Sequence, residues 1–210
     1  MILEGKAYMD DTDGDTMAEQ RAAKEASKYR DTAPEDNLAI FEKLLKGEKE
    51  VTKFCMRAKI DMNSVNGTLR DPVMYRYNPL PHHRTGSKHC AYPTYGFSCP
   101  IVDAIEGVTH ALRTTEYNDQ NQQYFWLQEA MGLRKVHIQT FGKVNFVNTV
   151  LSKRKLNWFV EEGLVEGWFD PRFPTIQGSI RRGVEVDALR QFIQQQGAST
   201  RIITMEWDKF

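Results

Sequence analysis

The 210-residue chain has few cysteines, no net charge and no long apolar run. Cys55, Cys90 and Cys99 stand far apart and form no C-x-x-C pair. That pattern excludes a disulfide framework and points to a reducing compartment, the cytosol by default. No apolar stretch approaches the roughly 20 residues that span a bilayer. Met1-Ile2-Leu3-Glu4 also lacks the cationic start and apolar core of a signal peptide. A cytoplasmic protein without membrane contact is the expectation. Lys plus Arg (28) equals Asp plus Glu (28), so no global field draws in a polyanion and nucleic-acid contact must be local. Internal repeats and low-complexity segments are absent too.

What is present describes a packed globular chain: 40% hydrophobic residues, 11% aromatic and 27% charged. Charge is unevenly placed, with cations in Ser152-Lys153-Arg154-Lys155 and Arg181-Arg182 and acids from Asp10 to Asp15. Asp11, Asp13 and Asp15 mimic the start of a calcium loop, but Thr16 stands where its sharp turn requires glycine. His82, His83, His89 and Cys90 are zinc-competent types in no finger or ribbon spacing. No metal site is expected.

Residues 16–30 and 33–46 read as helices, the second carrying Leu38, Phe41 and Leu45 near helical spacing with Gly47 as its stop. From Thr52 the texture shifts to short alternating and aromatic runs punctuated by Gly67, Pro72, Pro79 and Pro81, as in a small antiparallel sheet. Residues 1–92 form one α+β unit in this reading. Strand-like AYPTYGF, a helix opening at Pro100, strand VTHALR, helix NDQNQQYFWLQEAMG and strand-like VHIQTFGKVNFV follow. That alternation predicts an α/β fold with a three-stranded parallel sheet over 95–150 and helices near 100–106 and 118–131. Three strands make half of a doubly wound sheet. From Lys155 the chain reads helical, through the loop GWFDPRFPT and the helix DALRQFIQQQG, to a strand-like or helix-starting end, RIITMEWDKF.

Two segments could carry chemistry. TVLSKRK (149–155) puts a hydroxyl and three cations between a strand end and a helix. Mobile cations there stabilise the charge that develops on nonbridging oxygens in phosphoryl and nucleotidyl transfer, although a solvated basic turn has the same sequence. YPTYGFSCPIVDAIEGVTHALRTTEY (92–117) delivers Tyr95 and Arg113-Thr114 to the carboxyl edge of a parallel sheet, where α/β ligands bind. Arg113 can hold a carboxylate through two parallel hydrogen bonds, and Tyr95 and Asp103 can orient an ammonium.

Together with LEGKAYMDD, FCMRAKIDMNSVNGTLRDPVMYR, VLSKRKL and GWFDPRFPT, these segments resemble glutamyl-tRNA synthetases of the archaeal and eukaryotic cytosolic type. These are class I aminoacyl-tRNA synthetases that share an architecture with the glutaminyl enzymes. The resemblance implies glutamate–tRNA ligase activity with ATP and Mg2+, with VLSKRK as the version of the KMSKS loop. It implies that Ser152, Lys153 and Arg154 face ATP, Lys153 being the catalytic cation, and that Thr114, Lys143 and Val144 lie around the nucleotide. It further implies that Tyr95 and Arg113 line the glutamate pocket, to which the reading of the residues adds Asp103, and that Asp119 stands near the acceptor stem of tRNA(Glu). Arg113 is the discriminating residue, since the glutaminyl relatives lack it.

Under this resemblance residues 1–92 are most of an inserted acceptor-stem-binding domain. Residues 93–154 are the carboxy-terminal half of a Rossmann-like catalytic domain, and 155–210 a helical stem-contact region. A HIGH-type motif is missing, so the chain alone is expected to be inactive; membership of a multi-synthetase assembly is a further implication. Gly96 departs from the Asp of the family's YPTYDF motif, and Lys143 from an Arg. The competing functions are a glutaminyl-tRNA synthetase, which Arg113 opposes, and a non-catalytic tRNA-binding module.

Overall fold

The computed structural model describes residues 1–210. It divides into two compact units, Met1–Leu112 with Glu116–Gln139 and Arg113–Thr115 with Thr140–Phe210.

The first unit is built on an antiparallel sheet of β1 (Ala7–Asp10), β2 (Cys55–Ala58), β3 (Val73–Tyr77) and β4 (Ala91–Pro93), in that spatial order. Met9 lies opposite Met56, and Tyr75 opposite Pro93. Around it pack α1 (Gly14–Ala23), α2 (Pro34–Lys46), α3 (Tyr95–Ile105) and α4 (Asn121–Ala130), over a core that includes Met9, Leu44, Met56, Met74 and Leu127. Helix α2 has the expected grammar. Pro34 sits in its first turn with Glu35 and Asp36, Lys43 and Lys46 lie in its last, and Gly47 turns left-handed at φ 73°. Helix α1 is shorter than the 16–30 expected. Its Asp13 is the N-cap, accepting from the Thr16 amide at 3.0 Å, and the chain after Lys24 turns inward to bury Ser27.

Polar groups also fill this core. Arg57 and Asp10, both fully buried, pair at 2.7 Å. The Arg57 Nε donates to the Asp71 carbonyl at 2.8 Å, while the Asp71 carboxylate accepts from Arg30 Nε (2.7 Å), the Tyr8 hydroxyl (3.1 Å) and the Ile60 amide (2.9 Å). Asp71 itself is left-handed at φ 41°. Arg57 and Asp71 are thereby the tie between β1, β2 and the loop entering β3.

The mixed α/β class stands, but the three-stranded parallel sheet over 95–150 does not form. Strand β4 is antiparallel to β3, because the hairpin after Tyr77 returns the chain directly beside it. Pro93 cannot donate to a ladder and suits this edge strand. Thr94, extended at ψ 159°, then starts α3, so Tyr95 is a first-turn helical residue and Pro100 lies inside the helix. β5 (His110–Thr114) pairs with β6 (His137–Phe141) as a separate two-stranded sheet.

In the second unit β7 (Val144–Phe146) pairs in parallel with β8 (Ile203–Met205), Asn145 opposite Thr204. The approach requires glycine at 142, where a Cβ would stand 1.9 Å from the Arg201 carbonyl oxygen. Phe146 stacks on Trp207 with centroids 4.2 Å apart. Helices α5 (Lys153–Glu161), α6 (Ile176–Arg181) and α7 (Val186–Gln196) complete this unit.

Candidate active site

Tyr95, Cys99 and Asp103 are four residues apart on α3 and so share one face. The Cys99 sulfur lies 3.6 Å from the Tyr95 hydroxyl and 3.5 Å from Asp103 Oδ2, and the buried Tyr124 of α4 donates its hydroxyl to that same oxygen at 2.7 Å. The Tyr95 ring is 58% exposed and sits 5.8 Å, centroid to centroid, from that of Tyr117. Two amides of α4 lie against α3. Fully buried Gln128 donates to the Pro100 carbonyl at 3.2 Å. Gln123 Nε2 fills the space over Gly96, 2.8 Å from where a Cβ would be.

Along β5 exposure alternates: His110 and Leu112 face out, Ala111 and Arg113 in. The Arg113 side chain is 7% exposed, and Thr114 is half-buried. Asp119 lies in the 3-10 turn Thr115–Gln120 with its side chain exposed. Its carbonyl accepts from Asn66 Nδ2 at 2.7 Å and Thr68 Oγ1 at 2.8 Å, which joins the turn to the loop carrying the 91%-exposed Val65.

The basic segment starts a helix. Ser152 is the N-cap of α5, making no side-chain capping bond, and Lys153, Arg154 and Lys155 fill the first turn without an acid. All four are exposed. Helix N-termini are electropositive and prefer acids, so three cations there are intrinsically unfavourable and create a local field for an anion. A cleft of about 560 Å3 beside them is lined by Ser152, Arg154, Lys155 and Trp158. A larger cavity of about 1090 Å3 has mainly apolar walls, among them Leu156, Phe159, Phe173 and Phe210, with Thr149, Arg172, Ser179 and Arg182 also at its lining. Lys143 and Val144 lie at β7, where the Lys143 carbonyl accepts from the Ile203 amide at 3.1 Å.

Residues 1–210 match the family described as tRNA synthetases class I (E and Q), catalytic domain. The chain belongs to that family. It is 55% identical over 209 residues to the bifunctional glutamate/proline–tRNA ligase of Mus musculus, covering 100% of this chain and 14% of that protein. It is 56% identical over 209 residues to the cytoplasmic glutamate–tRNA ligase of Saccharomyces cerevisiae, covering 99% of this chain and 30% of that one. With the probable cytoplasmic glutamate–tRNA ligase of Schizosaccharomyces pombe it shares 54% over 210 residues, 100% of this chain and 29% of that one. The chain thus spans less than a third of the length of these relatives.

The residues that the sequence singled out fall in two groups. Tyr95, Asp103 and Asp119 belong to the first unit, with Tyr95 and Asp103 linked through Cys99. Arg113, Thr114, Lys143, Val144, Ser152, Lys153 and Arg154 belong to the second. Sequence reasoning did not single out Cys99, which touches Tyr95 and Asp103, or Tyr124, which bonds Asp103. The spacing of Cys99 to Tyr95 and Asp103 was a visible signal, whereas Tyr124 needed the packing of α4. GWFDPRFPT is a folded turn: Asp170 accepts from the Arg172 guanidinium at 2.8 and 2.9 Å, from its amide at 2.9 Å and from the Glu166 amide at 3.0 Å. Those bonds hold the Asp170 carboxyl well below the ordinary carboxylate range.

Proposed function

We propose that this chain is part of the catalytic region of a glutamate–tRNA ligase of cytosolic type. The observation that carries the reading is the first turn of α5, where three exposed cations and no acid crowd a helix N-terminus. Such an arrangement is intrinsically unfavourable unless an anion is to be bound. In the reaction the glutamate carboxylate attacks the α-phosphorus of ATP, the new P–O bond forms and pyrophosphate leaves. Lys153 is the cation for the developing charge, with Ser152 and Arg154 beside it and Thr114, Lys143 and Val144 around the nucleotide. These basic and hydroxyl groups fit phosphate, and Mg2+ arriving on the nucleotide's own phosphates needs few protein ligands.

Tyr95, Asp103 and Arg113 receive glutamate, with Arg113 on its side-chain carboxylate; glutamine offers no such anion. Asp119 and its loop meet the acceptor stem of tRNA(Glu). In domain terms 1–92 is most of the acceptor-stem insertion, 93–154 half of the catalytic domain and 155–210 a stem-contact region. The names of the relatives support these substrates and a cytoplasmic location, and the bifunctional one suggests assembly with other synthetase activity. No helix is long and apolar enough to cross a membrane. Pyrophosphate exchange by the full-length parent protein tests the reading: exchange that depends on glutamate supports it, and exchange driven by glutamine alone would replace it with the glutaminyl alternative.

A further inference from the structure

A thiol carries one proton, and a carboxylate is a stronger acceptor than a phenol. Between its two neighbours, 3.5 and 3.6 Å away, the Cys99 S–H therefore favours Asp103 Oδ2 over the Tyr95 hydroxyl oxygen. Tyr124 reaches the same Oδ2 from the buried side at 2.7 Å. Both donors converge on one oxygen of Asp103. Asp103 is half-buried, and its Oδ1 takes part in neither of these bonds.

We infer that Cys99 and Tyr124 are positioning residues of the amino-acid pocket: they clamp Asp103 through Oδ2 so that Oδ1 faces the substrate ammonium, and Cys99 also fixes Tyr95 at the rim. This rests on the reading of Tyr95 and Asp103 as glutamate-binding. A tie that served only to hold α3 against α4 would not need the thiol, since Gln128 and Tyr124 already bond these helices. The thiol links the two residues that face outward.

The test is steady-state pyrophosphate exchange by the full-length parent enzyme and its Cys99→Ala, Cys99→Ser and Tyr124→Phe variants. Expected is a rise of about threefold to tenfold in KM for glutamate with Cys99→Ala and Tyr124→Phe, the size of one lost hydrogen bond. KM for ATP should stay put, and Cys99→Ser should recover most of the loss. An unchanged KM for glutamate, or a parallel shift for glutamate and ATP, would overturn the inference. Alkylation of the unmutated enzyme gives an independent readout if a variant misfolds. Glutamate should slow labelling of Cys99 and not of Cys90, while Cys55, whose thiol burial pushes up to about 11, reacts slowly throughout. Equal labelling of Cys99 with and without glutamate would count against the inference. Wild-type enzyme inert toward glutamate would instead remove the functional reading beneath it.

Discussion

Arg57 and Asp10 meet at 2.7 Å with neither side chain exposed, joining β2 to β1 inside the antiparallel sheet. Removing one partner of such a pair leaves a buried charge uncompensated, at about 3–5 kcal/mol. Arg57→Met should therefore lower the stability of this chain by that order in urea unfolding. A loss under 1 kcal/mol would mean that the pair is dispensable.

The same pair sets an acid limit. Burial alone would raise the Asp10 pKa, but hydrogen bonds from Thr12, Arg57 and Ser27 outweigh it and hold the carboxyl below its ordinary 3.8. The unfolded chain then binds more protons there, so this contribution is complete above about pH 4 and disappears as pH falls through the lower folded value. Unfolding midpoints between pH 5 and 2 should drop steeply in the wild type. Asp10→Asn should be less stable throughout and show a shallower drop.

How much of this was legible follows from what each signal is made of. Helix α2 could be read because its apolar residues recur at helical spacing and Gly47 stands at its end as a stop. β4 and α3 were misread because AYPTYGF is aromatic and β-rich. Only the hairpin that lays Tyr92 beside Arg76 shows that the strand ends at Pro93. The basic turn was visible as residue types, yet its position in the first turn of α5, against the dipole, is a fact of the fold. The Asp10, Arg57 and Asp71 network was invisible because pairing across 47 residues of chain leaves no local pattern.

The unfavourable first turn of α5 predicts a trade between stability and function. Lys155→Glu should stabilise the helix by about 0.3–1 kcal/mol at low salt while weakening the binding of inorganic triphosphate. Thermal unfolding with and without triphosphate measures both. If the variant gained no stability and lost no triphosphate affinity, the field at this helix end would be unimportant.

Gly142→Ala should separate β7 from β8, since the added methyl would stand 1.9 Å from the Arg201 carbonyl. Amides of Ile203 and of Val147, which bond across this pair, should lose hydrogen-exchange protection. Retained protection would show that the backbone takes up the methyl without parting the strands.

The most direct test of the glutamyl assignment is the ratio of kcat/KM for glutamate to that for glutamine, by pyrophosphate exchange, in full-length wild-type enzyme and Arg113→Cys. Arg113, a buried residue on β5, can give a carboxylate two charge-assisted hydrogen bonds, each of about 1.5–3 kcal/mol, which glutamine cannot match. Expected is a fall of at least about a hundredfold in the ratio, with glutamine activation unchanged or improved. A ratio that stays where it is in the wild type would contradict the role of Arg113 and remove the physical basis for glutamate as the substrate.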